Sequence, residues 1–156
     1  VKKLFEFKYL AVVILIIGIA LTAGCGGGSD AQRILGLSAE QVVHTFYDSA
    51  KENRMNEAKL YVSPASIGDT QTVLKYVTGQ TASTVKNSNL LSVKQVAQAG
   101  NYAVIVATLQ EQNSLNVSVK PVGLEKIDGE WYIVDYDQIF KNLKYQALAQ
   151  LMSNIK

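Results

Sequence analysis

Cysteine is almost missing from this 156-residue chain, and the single one, Cys25, excludes an internal disulfide and any cysteine-rich metal site. Stability must therefore come from packing. Histidine also occurs once, and the chain contains no H-E-x-x-H, C-x-x-C, G-x-S-x-G or phosphate-loop motif. The common hydrolase, protease and nucleotide-binding chemistries thus have no sequence support. Charge of one sign is missing too. Beyond Cys25 the chain carries twelve basic and twelve acidic residues, with no Lys/Arg block able to neutralise several phosphates at once, which argues against a nucleic-acid partner. No cofactor is implied. What the chain does have is apolar residues, 48% of the total, enough for one packed core and too few residues for a second domain.

The apolar content is concentrated first at the N-terminus. Lys2, Lys3 and Lys8 precede an apolar run from Leu10 to Ala23, the layout of a secretory leader. A bilayer-spanning helix needs about 20 apolar residues, and this run is shorter. Leu21-Thr22-Ala23-Gly24-Cys25 then resembles the lipobox of bacterial lipoproteins, although the leucine lies four residues before the cysteine rather than three. The resemblance implies cleavage between Gly24 and Cys25 and lipid on the Cys25 thiol. It places the mature chain in the cell envelope, on the extracytoplasmic face of a bacterial membrane. An uncleaved anchor with an incidental cysteine is the alternative; both put the domain outside the cytoplasm. Gly26-Gly27-Gly28-Ser29-Asp30 reads as linker. The expected organisation is a leader over 1–24, a lipidated cysteine with flexible linker over 25–37, and a folded domain over 38–156.

In the body, Ser38-Ala39-Glu40-Gln41 is a capping box with Leu37 and Val42 placed as a hydrophobic staple. Ala39, Val42, Val43, Phe46, Tyr47 and Ala50 make one helical stripe behind it. A short helix carrying Met55, Ala58, Tyr61 and Val62 should run up to Ser63-Pro64, and a third from Asp69 to Val77. Residues 78–89 read as loop. The period then becomes strand-like over Leu90 to Ala97, Tyr102 to Gln110, Leu115 to Ile127 and Glu130 to Tyr136, with Asp128-Gly129 as the strongest hairpin signal. Pro121 and Gly123 within the third strand predict a bulge that bends the sheet. Phe140, Leu143, Ala147, Leu148, Leu151 and Ile155 predict one terminal helix, capped by Asp137. The fold class is α+β, with N-terminal helices on a curved four-stranded antiparallel sheet and an extra C-terminal helix.

This order, together with the opening helix Glu40-Gln41-Val42-Val43-His44-Thr45-Phe46-Tyr47 and the hairpin Asp128-Gly129-Glu130-Trp131-Tyr132-Ile133, resembles the nuclear transport factor two-like superfamily over about residues 38 to 136. It looks in particular like that group's small bacterial lipoproteins of unknown function. The resemblance implies a sheet wrapped around the first helix as a cone, with Trp131 filling it. Some members use the open end as an active site. Sheet-face dimers recur among them. The terminal helix departs from the minimal pattern and should cover either the cone mouth or a sheet face.

Enzymatic relatives such as ketosteroid isomerase place carboxylate, histidine or tyrosine groups in the cone for acid–base work. His44 lies about 130° from the centre of the helical stripe and Asp48 almost opposite it, so both should face solvent. Tyr47, Tyr61, Trp131 and Asp135 are the pocket-lining candidates, Tyr47 and Tyr61 because they flank the stripe, Asp135 because strand alternation puts it on Trp131's face. For Asp135 a cap or turn role competes with that of a base. No metal site is expected, since the acids from Asp128 to Asp137 lack the spacing of a calcium loop. Two functions follow: a non-catalytic binding or interaction module, which could pair with a second copy of itself because Tyr102–Ala107 is apolar on both strand faces, or a small-molecule-binding or acid–base protein of the cone type.

Overall fold

The computed structural model describes residues 31–66 and 69–155. The expected leader, the Gly24–Cys25 cleavage site and the glycine run lie outside them. Helix α1 (Ala39–Lys51) begins as its sequence requires. Ser38 Oγ accepts from the Gln41 N–H at 3.2 Å, and the Gln41 side chain accepts from the Ser38 N–H at 2.9 Å. Its apolar stripe, from Ala39 to Ala50, is buried throughout. Asn53 follows with a left-handed backbone (φ 62°), ending the helix before the short α2 (Met55–Lys59). Helix α3 (Thr70–Thr78) is capped by Asp69, which accepts from the Thr72 N–H, and closed by Gly79 at φ 72°.

Strands β1 (Ser88–Ala99), β2 (Tyr102–Glu111), β3 (Val117–Ile127) and β4 (Glu130–Ile133) form an open antiparallel sheet in sequence order. Asp128 and Gly129 both take positive φ, as a tight two-residue hairpin turn requires. The last edge is covered: Ile133 exchanges backbone hydrogen bonds with Tyr61 and Ser63 on the segment after α2. Residues 78–89, expected as loop, contain a 3-10 turn (Val85–Asn87) whose Val85 is fully buried.

The predicted bulge at Pro121 and Gly123 is absent. Pairing between β2 and β3 runs without a shift from Tyr102 opposite Glu125 to Gln110 opposite Val117. The irregularities fall instead in β1, between Leu90 and Ser92 and between Gln95 and Ala97. Pro121 is tolerated because β4 pairs only with Leu124–Ile127, leaving β3 an edge at Pro121. Its carbonyl points off that edge to accept from the Tyr76 hydroxyl at 2.8 Å. Gly123 serves the packing of the C-terminal segment.

The one terminal helix predicted is two, α4 (Tyr136–Lys141) and α5 (Gln146–Ser153), joined by a 3-10 turn over Leu143–Tyr145. Asn142 is extended (φ −108°, ψ 123°) and its side chain caps the turn through the Lys144 N–H. This break rephases the apolar face. Ile139, Tyr145, Leu148 and Met152 turn inward, whereas Leu143 is left 88% exposed and Phe140 half exposed against the Tyr136 ring. The cap is Asp135, not Asp137; Asp137 pairs instead with Lys141 at the surface.

Strand β2 is apolar on both faces because each face meets a core. Ala103, Ile105, Ala107 and Leu109 pack under α1 and α3, and Val104 packs with Val134, Ile139, Tyr145, Leu148 and Met152. Of the two positions considered for the terminal segment, it occupies the sheet face. The chain itself thus covers part of the surface that alternation offered to a second subunit.

Candidate functional site

The most elaborate polar arrangement among the described residues lies where the N-terminal segment meets the domain. Arg33 donates to the carbonyls of Leu60 (2.6 Å) and Trp131 (2.5 Å), the first just after α2, the second in β4. Its guanidinium lies 4.8 Å from the Tyr61 ring centre and 4.1 Å from that of Tyr132, with the Glu130 carboxylate at 3.8 Å. A planar cation with five donors suits this position, since it can fork to two carbonyls while stacking on aromatic faces. Two further bonds hold the segment: the Ile34 N–H donates to the Tyr61 hydroxyl at 3.2 Å, and the Gly36 N–H donates to Glu130 at 3.0 Å. The linker expected to be flexible through Leu37 is therefore held on the domain from Arg33 onward.

The candidate side chains do not share one lining. Tyr61 and Trp131 belong to this clasp, Trp131 also meeting Lys126 Nζ across its ring at 5.4 Å. Tyr47 is buried elsewhere, its hydroxyl donating to the Ser88 carbonyl at 2.7 Å; burial, opposed by that serine's hydrogen bond, raises its pKa. Asp135 is spent on capping α4, accepting from the Gln138 N–H at 3.2 Å. His44 pairs with Asp48 at 2.8 Å on the exposed side of α1, away from the core. Gly24 and Cys25 lie outside the described residues.

A second cluster escaped sequence reasoning. Glu125, 3% exposed, accepts through Oε1 from the Ser63 hydroxyl and, at 2.8 Å, from the Tyr145 hydroxyl; Oε2 accepts from Lys144 Nζ at 2.6 Å. Burial and then the adjoining carboxylate raise the Tyr145 pKa, so the hydroxyl keeps its proton. For Lys144, burial works against the charge, and Glu125 and Tyr145 together more than offset it, so its pKa is raised. No local signal marked this group, because its other members stand 19 to 62 residues from Glu125.

The chain matches no protein-family model and no curated protein. Its chemistry must be read from its own groups. Among the described residues no cluster of three or more metal-ligating side chains occurs, and no helix is long and apolar enough to cross a membrane. An open hollow of about 270 Å³ lies between the end of α3 and the turn end of β2 and β3. Thr78, Gln80, Ser88, Leu109, Ser118 and Lys120 line it, and the one carboxylate on its wall, Glu111, is exposed. That supplies hydroxyls and an ammonium group. It supplies no enclosed acid–base pair of the kind a proton-transfer site needs.

Proposed function

We propose that the protein is a lipid-anchored, non-catalytic interaction domain on the extracytoplasmic face of a bacterial membrane, built on a nuclear transport factor two-like fold. The observation that carries this reading is the order of parts in the sequence: a basic and apolar leader, a small-residue stretch ending at Cys25, a glycine run, and then a domain on which Arg33 is held by two carbonyls. Two acyl chains, at about 0.8 kcal/mol per buried methylene, would hold such a chain on a bilayer with no protein contact. The interaction role is supported by the employment of the buried polar side chains Tyr47, Tyr61, Glu125 and Asp135 in holding the structure together.

Intact-mass measurement of membrane-extracted protein tests the anchor. The wild type should begin at Cys25 and carry acyl mass, and Cys25→Ala should abolish both the cleavage and the added mass. An uncleaved, unmodified wild-type chain would refute the reading.

For a partner, a second copy is favoured by the part of the sheet face that the C-terminal segment leaves open. Val117 and Val119 are exposed there, beside half-buried Val106. Sedimentation equilibrium of the acylated protein in detergent should show a dimer; a strict monomer at high concentration removes this partner.

A further inference from the structure

We propose that Ile34 and Leu35 form a membrane seat, a rigid apolar turn that enters the lipid interface and sets which face of the domain looks at the bilayer. The inference rests on the anchoring reading above. Large exposed apolar side chains occur singly on most proteins and need no explanation. These two are adjacent in the chain, 55% and 71% exposed, and they stand where the tether leaves the domain.

Their presentation is fixed from both sides. Arg33 is bonded to two carbonyls and stacked between two tyrosines, the Ile34 N–H is held by the Tyr61 hydroxyl, and the Gly36 N–H is held by Glu130. Gly36 takes φ 73° with nothing within 4 Å of where a Cβ would stand. The backbone of the pair is thus bound down while its side chains point out, so little backbone entropy remains to be lost when they are buried.

The tether's length names the occupant. Arg33 stands eight positions after Cys25, with seven residues between them. That stretch can reach at most about 28 Å. Lipid on Cys25 would therefore keep this surface, before any other, within about a tether's span of the headgroups. A half-buried tyrosine, Tyr132, lies beside the turn against Arg33, and tyrosine suits a membrane interface. The charges around it balance: Arg33 faces Glu130, and the adjoining β3–β4 hairpin carries Lys126 and Asp128. Seating should then depend on apolar contact and be indifferent to anionic lipid.

The test uses the full-length protein, acylated in cells, purified and reconstituted into phosphatidylcholine vesicles. An environment-sensitive fluorophore is attached at Leu35→Cys, with Ile34→Cys as a second site and Leu115→Cys as control. Leu115 is 93% exposed and belongs to the turn at the opposite end of β3 from the Glu130 hairpin. The expected result is a blue-shifted, severalfold brighter signal at positions 34 and 35, quenched by shallow nitroxide lipid and unchanged when phosphatidylglycerol replaces part of the lipid. The label at 115 should stay aqueous. Aqueous labels at 34 and 35 on protein that intact mass shows to be acylated overturn the seat and leave the anchor standing. A dry signal that nitroxide lipid cannot quench assigns the turn to a protein partner, again overturning it. Absence of acyl mass refutes the anchoring reading itself, and the seat falls with it.

Discussion

Gly123→Val is expected to destabilise the protein by about 3 kcal/mol, although strand propensity alone predicts the opposite sign. Glycine weakens a strand interior, and a β-branched residue on a pleated surface ordinarily gains up to about 1 kcal/mol. Here a Cβ would stand 2.6 Å from Ile139 Cδ1, 3.1 Å from Leu148 Cδ2 and 3.1 Å from Met152 Sδ. Those atoms belong to α4 and α5, and all three residues are nearly inaccessible, so relief requires either unfavourable rotamers or lifting both helices from the sheet. The midpoint of thermal unfolding should fall by roughly 10 °C. Gly123→Ala should do less harm, about 1 to 2 kcal/mol. The contact itself can be isolated. Ile139→Val removes the clashing methyl, so it should be cheaper in the Gly123→Ala background than in the wild type, and the double mutant should lose less than the sum of the single losses. Additive losses would show that the close approach at Gly123 is not what fixes the C-terminal segment.

That contact also marks where sequence reading stops. Local rules located α1, because Ser38 and Gln41 carry their capping information within one turn, and they located the Asp128–Gly129 hairpin, because positive φ is a demand on two adjacent residues. The architecture followed from these and from the change of period after Asn89. Gly123 was legible as an exception but not as to its reason. A glycine inside a strand reports either a bulge or a close neighbour, and the neighbour lies sixteen residues away at Ile139. The terminal helix failed for a related cause. A stripe through Phe140 and Leu143 has the right period, yet nothing in it says that Asn142 will break the helix and that Ile139 and Tyr145 will face the sheet instead. Among the pocket-lining candidates, Tyr47 and Trp131 are both nearly inaccessible but lie in different surroundings, and their partners were not foreseeable. Arg33 stood in a stretch whose composition reads as linker, although it is the one Lys or Arg between Cys25 and Lys51. Its partners lie 27 and 98 residues further on.

Glu125→Ala should cost about 3 kcal/mol and give the steepest loss among the polar substitutions, for a reason that separates it from an ordinary ion pair. Lys144 is the partner that a charge count would credit, but its side chain is 43% exposed and water can take its place when it is removed. Lys144→Ala is therefore expected to cost only about 1 kcal/mol. The Tyr145 hydroxyl is placed differently. The residue is nearly inaccessible, and without the carboxylate its hydroxyl loses the acceptor it has at 2.8 Å, deep against the sheet. Weakening the hydrogen bonding of a buried hydroxyl in this way costs about 1 to 3 kcal/mol. Tyr145→Phe should lose about 1.5 kcal/mol by itself. Combined with Glu125→Ala it should lose less than the sum, since phenylalanine leaves no hydroxyl to strand. Urea unfolding measures all four variants, with a shifted midpoint at unchanged slope as the expected signature. If instead Lys144→Ala equals Glu125→Ala, the charge pair rather than the hydroxyl network ties the C-terminal turn to β3. The distinction matters for the site as a whole, because the segment after α2 that supplies Ser63 also supplies the Leu60 carbonyl and Tyr61 ring that grip Arg33. Loosening Glu125 should therefore be felt at the tether before it is felt in the α1 core.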